Sequence, residues 1–369
     1  MTTGSPIGVA IAGLGFGLKV HLPACRASAE VEPVALWHPR AERLEEACRG
    51  ASLPGTDDFS ALLAMPGVEA VIIATPPAAR FDLARRALEA GRHVLLEKPV
   101  GLNAGEAESL QRLALERGLS VAVDFEYRAV PLFQQLAALL EQGVLGDPWL
   151  IKLDWLMSSR ADPARPWNWY SDAGQGGGVI GALATHAVDM LHWLIGPTES
   201  ISGRLATAIG ERPDPSQGGV PRAVSSEDVA LAQLTLRPRE GLTVPAQVSL
   251  SAVARQGRGC WLECYGSEAT LVLGSDNQAD YVHGFGLWMA APGQPLRSVA
   301  ADPALAFPTT WSDGRIAPVL RLLDWWADSI RSGRPMSPGL SEGVLSQRVC
   351  DLWRSSAESG MSLTIGGGD

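Results

Sequence analysis

A chain of 369 residues, 46% apolar and 19% charged, is long enough for two domains with real cores and too long for one comfortable domain. Its formal net charge of −10, with Lys and Arg scattered, argues against a nucleic-acid partner, which needs basic residues gathered on one face. Cys25, Cys48, Cys260, Cys264 and Cys350 are widely spaced without Cys-x-x-Cys, and the amino terminus lacks both a basic segment and a spanning apolar run, so the expectation is a cytoplasmic protein with no disulfide framework, metal or membrane.

The run from Ile7 to Ala12 reads as a strand buried on both faces, and Gly13-Leu14-Gly15-Phe16-Gly17 follows it directly. Glycines there allow a tight turn and let backbone N–H groups approach a pyrophosphate at a helix amino terminus. Leu18 holds the third glycine position and Gly17 stands one residue early, which predicts a helix set slightly further from the strand. A second strand, Pro33 to Trp37, ends where an NAD site places an acid for the ribose 2′-hydroxyl, but His38-Pro39-Arg40-Ala41-Glu42-Arg43 stands there instead. That cationic loop suits a 2′-phosphate; a solvated charged loop is the plain alternative.

Val71 to Ala74 forms a third strand ending at Thr75-Pro76-Pro77, and a helix over about 78–90 leads into Gly91-Arg92-His93-Val94-Leu95-Leu96-Glu97-Lys98-Pro99. This apolar strand delivers a carboxylate, an amine and a proline at its carboxyl end, where an open parallel sheet binds its ligands. A lysine drawn into a cleft loses hydration and its pKa falls, so it can exchange a proton while Glu97 orients it. An ordinary Lys-Pro turn is the plain alternative. A helix over about 104–117 and a strand at 120–123 complete the alternation. The fold class expected is α/β: an amino-terminal doubly wound parallel (Rossmann) sheet over 1–124, then an α+β domain over 125–369 with a large, mostly antiparallel open sheet for substrate binding and oligomerisation.

Past Val123, the residues Asp124, Glu126 and Arg128 alternate along what reads as an extended strand exit and so point the same way. A helix over about 132–142 follows, then strand-like Trp149 to Leu156 and β-rich runs at 198–212, 227–236, 243–254, 259–273 and 280–290. Cys260 and Cys264 fall on one face of such a run, which indicates core packing. Trp167, Asn168, Trp169 and Tyr170 form a cluster suited to stacking on a sugar face, or alternatively to anchoring a loop. After Gly176-Gly177-Gly178, a helix over 179–195 places Ala182, His186 and Asp189 on one side. His186 and His192 are six apart, a poor chelating spacing. Helical patterns over about 315–332 and 341–359 finish the chain.

The glycine turn with His21, Ala74-Thr75-Pro76, the Gly91–Pro99 run, Arg128 with Pro131, Gly143-Val144-Leu145-Gly146, and Gly176-Gly177-Gly178 followed by His186 and Asp189 occur in order. Together they resemble the glucose-fructose oxidoreductase / inositol dehydrogenase / MocA family across nearly the whole chain. The resemblance implies a Rossmann domain joined to an antiparallel-sheet domain, a cis Lys98–Pro99 bond, and hydride exchange between a nicotinamide and a sugar or polyol carbon. It implies Lys98 and His186 as proton-handling residues. Cofactor contacts are expected from Gly13, Gly15, Phe16, Gly17, His38, Arg40, Thr75, Pro76, Glu97, Lys98 and Arg128, and substrate contacts from Lys98, Trp167, Trp169, Tyr170, His186 and Asp189.

Two departures stand out: Ala182 replaces the aspartate four residues before His186, and Arg80 replaces the histidine common after Thr-Pro. Glu126 is expected to supply the missing acid. The reading is an NAD(P)(H)-dependent oxidoreductase, NADP(H) preferred and NAD(H) possible, assembling as a homodimer or homotetramer through the open sheet face. The alternative is a catalytically inactive NAD(P)- or sugar-sensing protein on the same fold.

Overall fold

The structure, a computed structural model, describes residues 5–277 and 283–366. The chain divides into two compact units: residues 1–129 with 309–345, and residues 130–308 with 346–369.

In the first unit, β1 (Ile7–Ala12), β2 (Val31–Trp37), β3 (Gly55–Thr56), β4 (Ala70–Ile73), β5 (His93–Leu96) and β6 (Val121–Val123) form one sheet in the order β3-β2-β1-β4-β5-β6, every pair parallel. Between them run α1 (Leu22–Ala27), α2 (Ala41–Ala51), α3 (Phe59–Leu63), α4 (Pro77–Glu89) and α5 (Ala104–Arg117). Side chains alternate across a strand, so a sheet covered on both faces demands apolar residues at every position. Ala10, Ala12, Val71, Ile73, Val94 and Leu96 enter one core with Leu83, Leu88 and Leu110, while Val9, Ile11, Ile72, Leu95 and Ala122 enter the other. Asp58 and Asn103 cap α3 and α5 by accepting from Ser60 N and Glu106 N.

The second unit opens with α6 (Pro131–Glu141) and β7 (Pro148–Leu156), then α7 (Thr185–Leu194). Next come β8 (Thr198–Ala206), a two-stranded ribbon of β9 (Glu211–Asp214) and β10 (Val220–Ala223), β11 (Val229–Arg239), β12 (Leu242–Ser251), β13 (Gly259–Gly266), β14 (Thr270–Ser275), β15 (Gly286–Ala290), β16 (Arg297–Ser298) and, near the end of the chain, β17 (Leu363–Thr364). The large sheet runs β16-β15-β14-β13-β7-β12-β11-β8-β17, antiparallel except where β12 meets β7. Along β11, Ala230, Ala232, Leu234 and Leu236 are buried while Leu231 is 47% exposed and Gln233 and Arg237 face out, so this sheet has one packed and one open face.

The chain also returns to the first unit. The first sheet's second core is completed by α8 (Ile316–Ser332), which contributes Val319, Leu322, Leu323 and Trp326. The last helix is α9 (Leu340–Ser359).

Four local expectations are corrected. The 259–273 run is a hairpin, β13 and β14, and the 198–212 run divides between β8 and β9. Residues 280–282 of the run at 280–290 lie outside the described residues. The exit after β6 is not extended: Glu126–Ala129 is a 3-10 turn, with Arg128 N donating to Phe125 O, so the alternation argument for Asp124, Glu126 and Arg128 fails. The 179–195 helix opens as a π turn, Ile180–Ala184, before α7 begins. Among the described residues no helix is long and apolar enough to cross a membrane.

Candidate active site

The glycine turn is built around two close approaches. Gly13 has φ +113°, and a Cβ there would lie 2.5 Å from the Ala74 carbonyl oxygen. At Gly17 a Cβ would lie 2.9 Å from Ile11 Cγ2, so the early glycine itself brings helix against strand. The expected wider gap is therefore absent, because Gly17–His21 forms a π turn, closed by Leu22 N donating to Gly17 O, that absorbs the one-residue offset. Gly15 faces open space and is exposed. At the end of β4, Thr75 is buried and its hydroxyl has no hydrogen-bond partner among the described residues. A backbone turn open at Gly15 and a buried hydroxyl left to an outside partner fit a dinucleotide.

A cavity of about 440 Å³ beside this turn is lined by Leu14, Leu18, Leu22, Arg43, Glu46, Ala47, Gly50 and Ala51. His38 is half-buried and its Nδ1 accepts from Arg40 N at 3.1 Å; Arg40 and Arg43 are exposed. Burial lowers the His38 pKa, and Arg43 and Arg40 lower it further, against the pull of its backbone contact with Arg40. Arg43, which the sequence reading did not select, lines the cavity and Arg40 does not.

The strand-end cluster lies in the same unit. Glu97 and Asp124 each follow directly on neighbouring parallel strands whose last residues, Leu96 and Val123, are in register, so the two carboxyls emerge side by side. Asp124 N donates to Leu96 O at 2.8 Å. His21, fully buried, contacts Glu97 Oε1 through Nε2 at 2.9 Å and stands 3.6 Å from Asp124 Oδ2. The π turn brings His21 there, and Phe16 packs edge-on against its ring at 5.2 Å. Arg80, buried on α4, donates from Nη1 to the Pro99 carbonyl at 2.5 Å. The Lys98–Pro99 bond is cis.

The charges compete. Burial pushes the Lys98 amine below its usual range, Glu126 and Glu97 push back, and Arg80 lowers it again. Burial raises Glu126 to about 7, with Lys98 the strongest opposing charge. Burial also works against Glu97, but the His21 hydrogen bond and the His21, Arg80 and Lys98 charges prevail and hold it near about 2. Asp124 is raised well above the carboxylate range, first by burial and then by Glu97 and Glu126. Arg80 falls to about 10 because burial outweighs Glu97 and Asp124. His21, Glu97 and Asp124 place three potential ligand atoms within 4.8 Å of one another. The Arg80 and Lys98 charges act on the same carboxyls, and the shortest contact in the cluster is the His21–Glu97 hydrogen bond. Arg128 Nη1 donates to Ser337 Oγ at 3.4 Å and lies 3.8 Å from Glu342 Oε1.

The second unit carries the other selected residues. His186 and Asp189 are buried on α7, His186 packing at 6.2 Å from the Trp155 ring. Glu227 Oε1 accepts from Ile180 N at 2.8 Å and so caps the helix that bears them, a role the sequence did not reveal. Ala182 is half-buried within the π turn. Trp167 is held to the β9–β10 ribbon: its indole N–H donates to Ala223 O at 3.0 Å and Arg222 lies over its ring at 3.4 Å. Asn168 Oδ1 accepts from Tyr170 N, Trp169 is half-buried, and Tyr170 is buried under Arg160 at 3.7 Å. His192 accepts from Thr198 N at 3.1 Å. Cys260 and Cys264 are buried, and burial raises the Cys264 thiol to about 12.

Comparison with known proteins agrees with this architecture. Residues 7–125 match the oxidoreductase family's NAD-binding Rossmann fold, and residues 137–365 its C-terminal alpha/beta domain. The chain is 45% identical over 353 residues to the uncharacterized oxidoreductase sll0816 of Synechocystis sp., covering 95% of this chain and 94% of that one. It is 26% identical over 336 residues to D-apiose dehydrogenase of Paraburkholderia graminis, covering 89% and 82% respectively. Levoglucosan dehydrogenase, solved with NADH and L-sorbose, superimposes with a TM-score of 0.85 at 22% identity, over 98% of this chain and 100% of that one, a likeness of fold. With both family regions matched along its length, the chain belongs to the Gfo/Idh/MocA oxidoreductase family, as an oxidoreductase with an NAD-binding Rossmann domain.

Proposed function

We propose that the chain is an NAD(P)(H)-dependent dehydrogenase or reductase that exchanges hydride with a carbon of a sugar, polyol or related small hydroxy or keto compound, with NADP(H) preferred. The observation that carries the reading is Lys98 at the carboxyl end of β5, its amine held below its ordinary range by burial while Glu126 exerts the largest opposing charge. Levoglucosan dehydrogenase and D-apiose dehydrogenase, among the relatives, act on sugars, and this supports the substrate class.

A bound nicotinamide supplies the two-electron hydride exchange. The chain's own residues handle the proton. In the oxidative direction the substrate hydroxyl passes its proton to Lys98 Nζ, and Glu126, raised to about 7, accepts that proton from the ammonium, or returns it in the reductive direction. Glu126 thereby stands in for the aspartate that Ala182 replaces. His186 is assigned a supporting proton-handling role, and Asp189, Trp167, Trp169 and Tyr170 are assigned to substrate recognition. Gly13, Gly15, Phe16 and Gly17 cradle the pyrophosphate, Thr75, Pro76, Glu97 and Arg128 border the cofactor, and His38 and Arg40, joined by Arg43, receive the 2′-phosphate. The open face of the second sheet pairs with another copy in a homodimer or homotetramer.

The test is nicotinamide absorbance with purified protein, both cofactors, and a panel of sugars, polyols and their oxidised forms. Turnover of at least one compound, faster with NADP(H), is expected. Binding of cofactor with no absorbance change on any compound would defeat the enzymatic reading.

A further inference from the structure

Around Lys98 the first unit buries three acids together with the Arg80 guanidinium. Glu97, Asp124 and Glu126 are 7%, 1% and 6% exposed. Facing Asp124 are His21 from the π turn after β1, Arg80 from α4, Glu97 and Lys98 from the end of β5, and Glu126 from its own turn. Alongside β6, the segment near Gly339 presents Glu342 to Arg128. His21 Nε2 lies 2.9 Å from Glu97 Oε1, and its buried Nδ1 has no hydrogen-bond partner among the described residues. Neither oxygen of Asp124 receives a hydrogen bond from any described residue, and His21 Nε2, at 3.6 Å, is spent on Glu97. A carboxylate stripped of water and given no donor is among the costliest groups a protein can bury, whereas the neutral acid carries a donor of its own.

We propose that Asp124 is held as an un-ionised carboxylic acid directed at Glu97, so that the two adjacent carboxyls share one proton and present a single negative charge beside Lys98. Two like charges emerging side by side from neighbouring strands cannot both persist in a buried site. The opposite displacements of the pair, Glu97 held low and Asp124 raised, are those of a proton resident on Asp124. Asp124 is then a positioning residue, acting on Lys98 through Glu97. A doubly ionised pair would hold the ammonium more firmly and make Lys98 a poorer proton acceptor near neutrality. This role deepens the proposed function and rests on it, but the protonation state itself does not.

Infrared spectroscopy of the full chain at pH 8 in D₂O tests the state without turnover. A carbonyl band of un-ionised carboxyl is expected in the wild type and its loss in Asp124→Asn. A wild-type spectrum with no such band overturns the proposal, as does a band unchanged in the variant. A second arm reads the acid limb of kcat/KM. Asp124→Asn removes no charge if Asp124 is neutral, so the limb stays within about 0.3 pH unit of wild type. Removing a true negative charge would lower the Lys98 pKa and move the limb down by about one unit. That displacement also overturns the proposal. An absence of turnover on every compound would defeat the functional reading and leave the infrared result standing.

Discussion

Arg80 Nη1 donates to the Pro99 carbonyl at 2.5 Å, which fixes a buried guanidinium directly behind Lys98. The arginine that departs from the family pattern therefore both anchors the strand-end turn and adds a positive field to the lysine. Replacing it with methionine orphans a buried carbonyl, and a loss of about 1 to 3 kcal/mol is expected in denaturant unfolding. Because Arg80 lowers the Lys98 pKa, its removal raises that pKa and moves the acid limb of kcat/KM to higher pH. A limb that stays in place would show that the guanidinium has no electrostatic hold on Lys98.

Glu126 is the acid expected to offset Ala182. In Glu126→Gln, with a sugar or polyol that the wild type turns over, a fall in kcat of about a hundredfold or more is expected for a lost proton-handling group. Unchanged kinetics would remove Glu126 from the chemistry.

The same residue links stability to pH. Burial raises it from 4.5 to about 7, so the folded chain binds more protons than the unfolded chain between those values. Its stabilising neutral form is fully present below about pH 4.5 and is lost as the pH rises through 7. At roughly 1.4 kcal/mol per pKa unit, Glu126→Gln should gain up to about 3 kcal/mol relative to wild type on going from pH 4.5 to pH 8. Parallel stability curves for the two proteins would contradict this.

The proposed preference for NADP(H) rests on residues 38–43. Arg40→Ala is expected to weaken NADP(H) by about 1.5 to 3 kcal/mol, the value of a charge-assisted hydrogen bond, with NAD(H) little changed. Arg43→Ala should act in the same direction, since Arg43 lines the cavity beside the glycine turn. Fluorescence titration giving equal dissociation constants for the two cofactors in the wild type would remove the preference.

Trp326 is fully buried in the core that α8 builds against the first sheet. Trp326→Ala should cost about 3 to 5 kcal/mol. Thermal unfolding that scarcely changes would mean that α8 is dispensable to that core.

What the sequence determined is whatever depends on neighbours along the chain. Continuous apolar runs at Ile7–Ala12, Ala70–Ile73 and His93–Leu96 require a sheet buried on both faces, and alternation along Val229–Arg239 requires one that is open on one side. The order of the glycine turn, Glu97-Lys98-Pro99 and His186 with Asp189 carried the family. Where local reasoning extended a pattern too far, backbone hydrogen bonding decided otherwise: Gly17–His21 and Ile180–Ala184 became π turns and Glu126–Ala129 a 3-10 turn, none of which side-chain periodicity encodes. Only the tertiary structure brought together His21, Arg80, Glu97 and Asp124, which lie up to 103 positions apart and meet because strand register sets Leu96 beside Val123. The packing of α8 onto the first sheet was hidden for the same reason. A hydrophobic helix face states that it must be covered, but which sheet covers it is a matter of shape and burial across the fold, and the protonation of a buried carboxyl depends on the donors that the fold happens to bring to it.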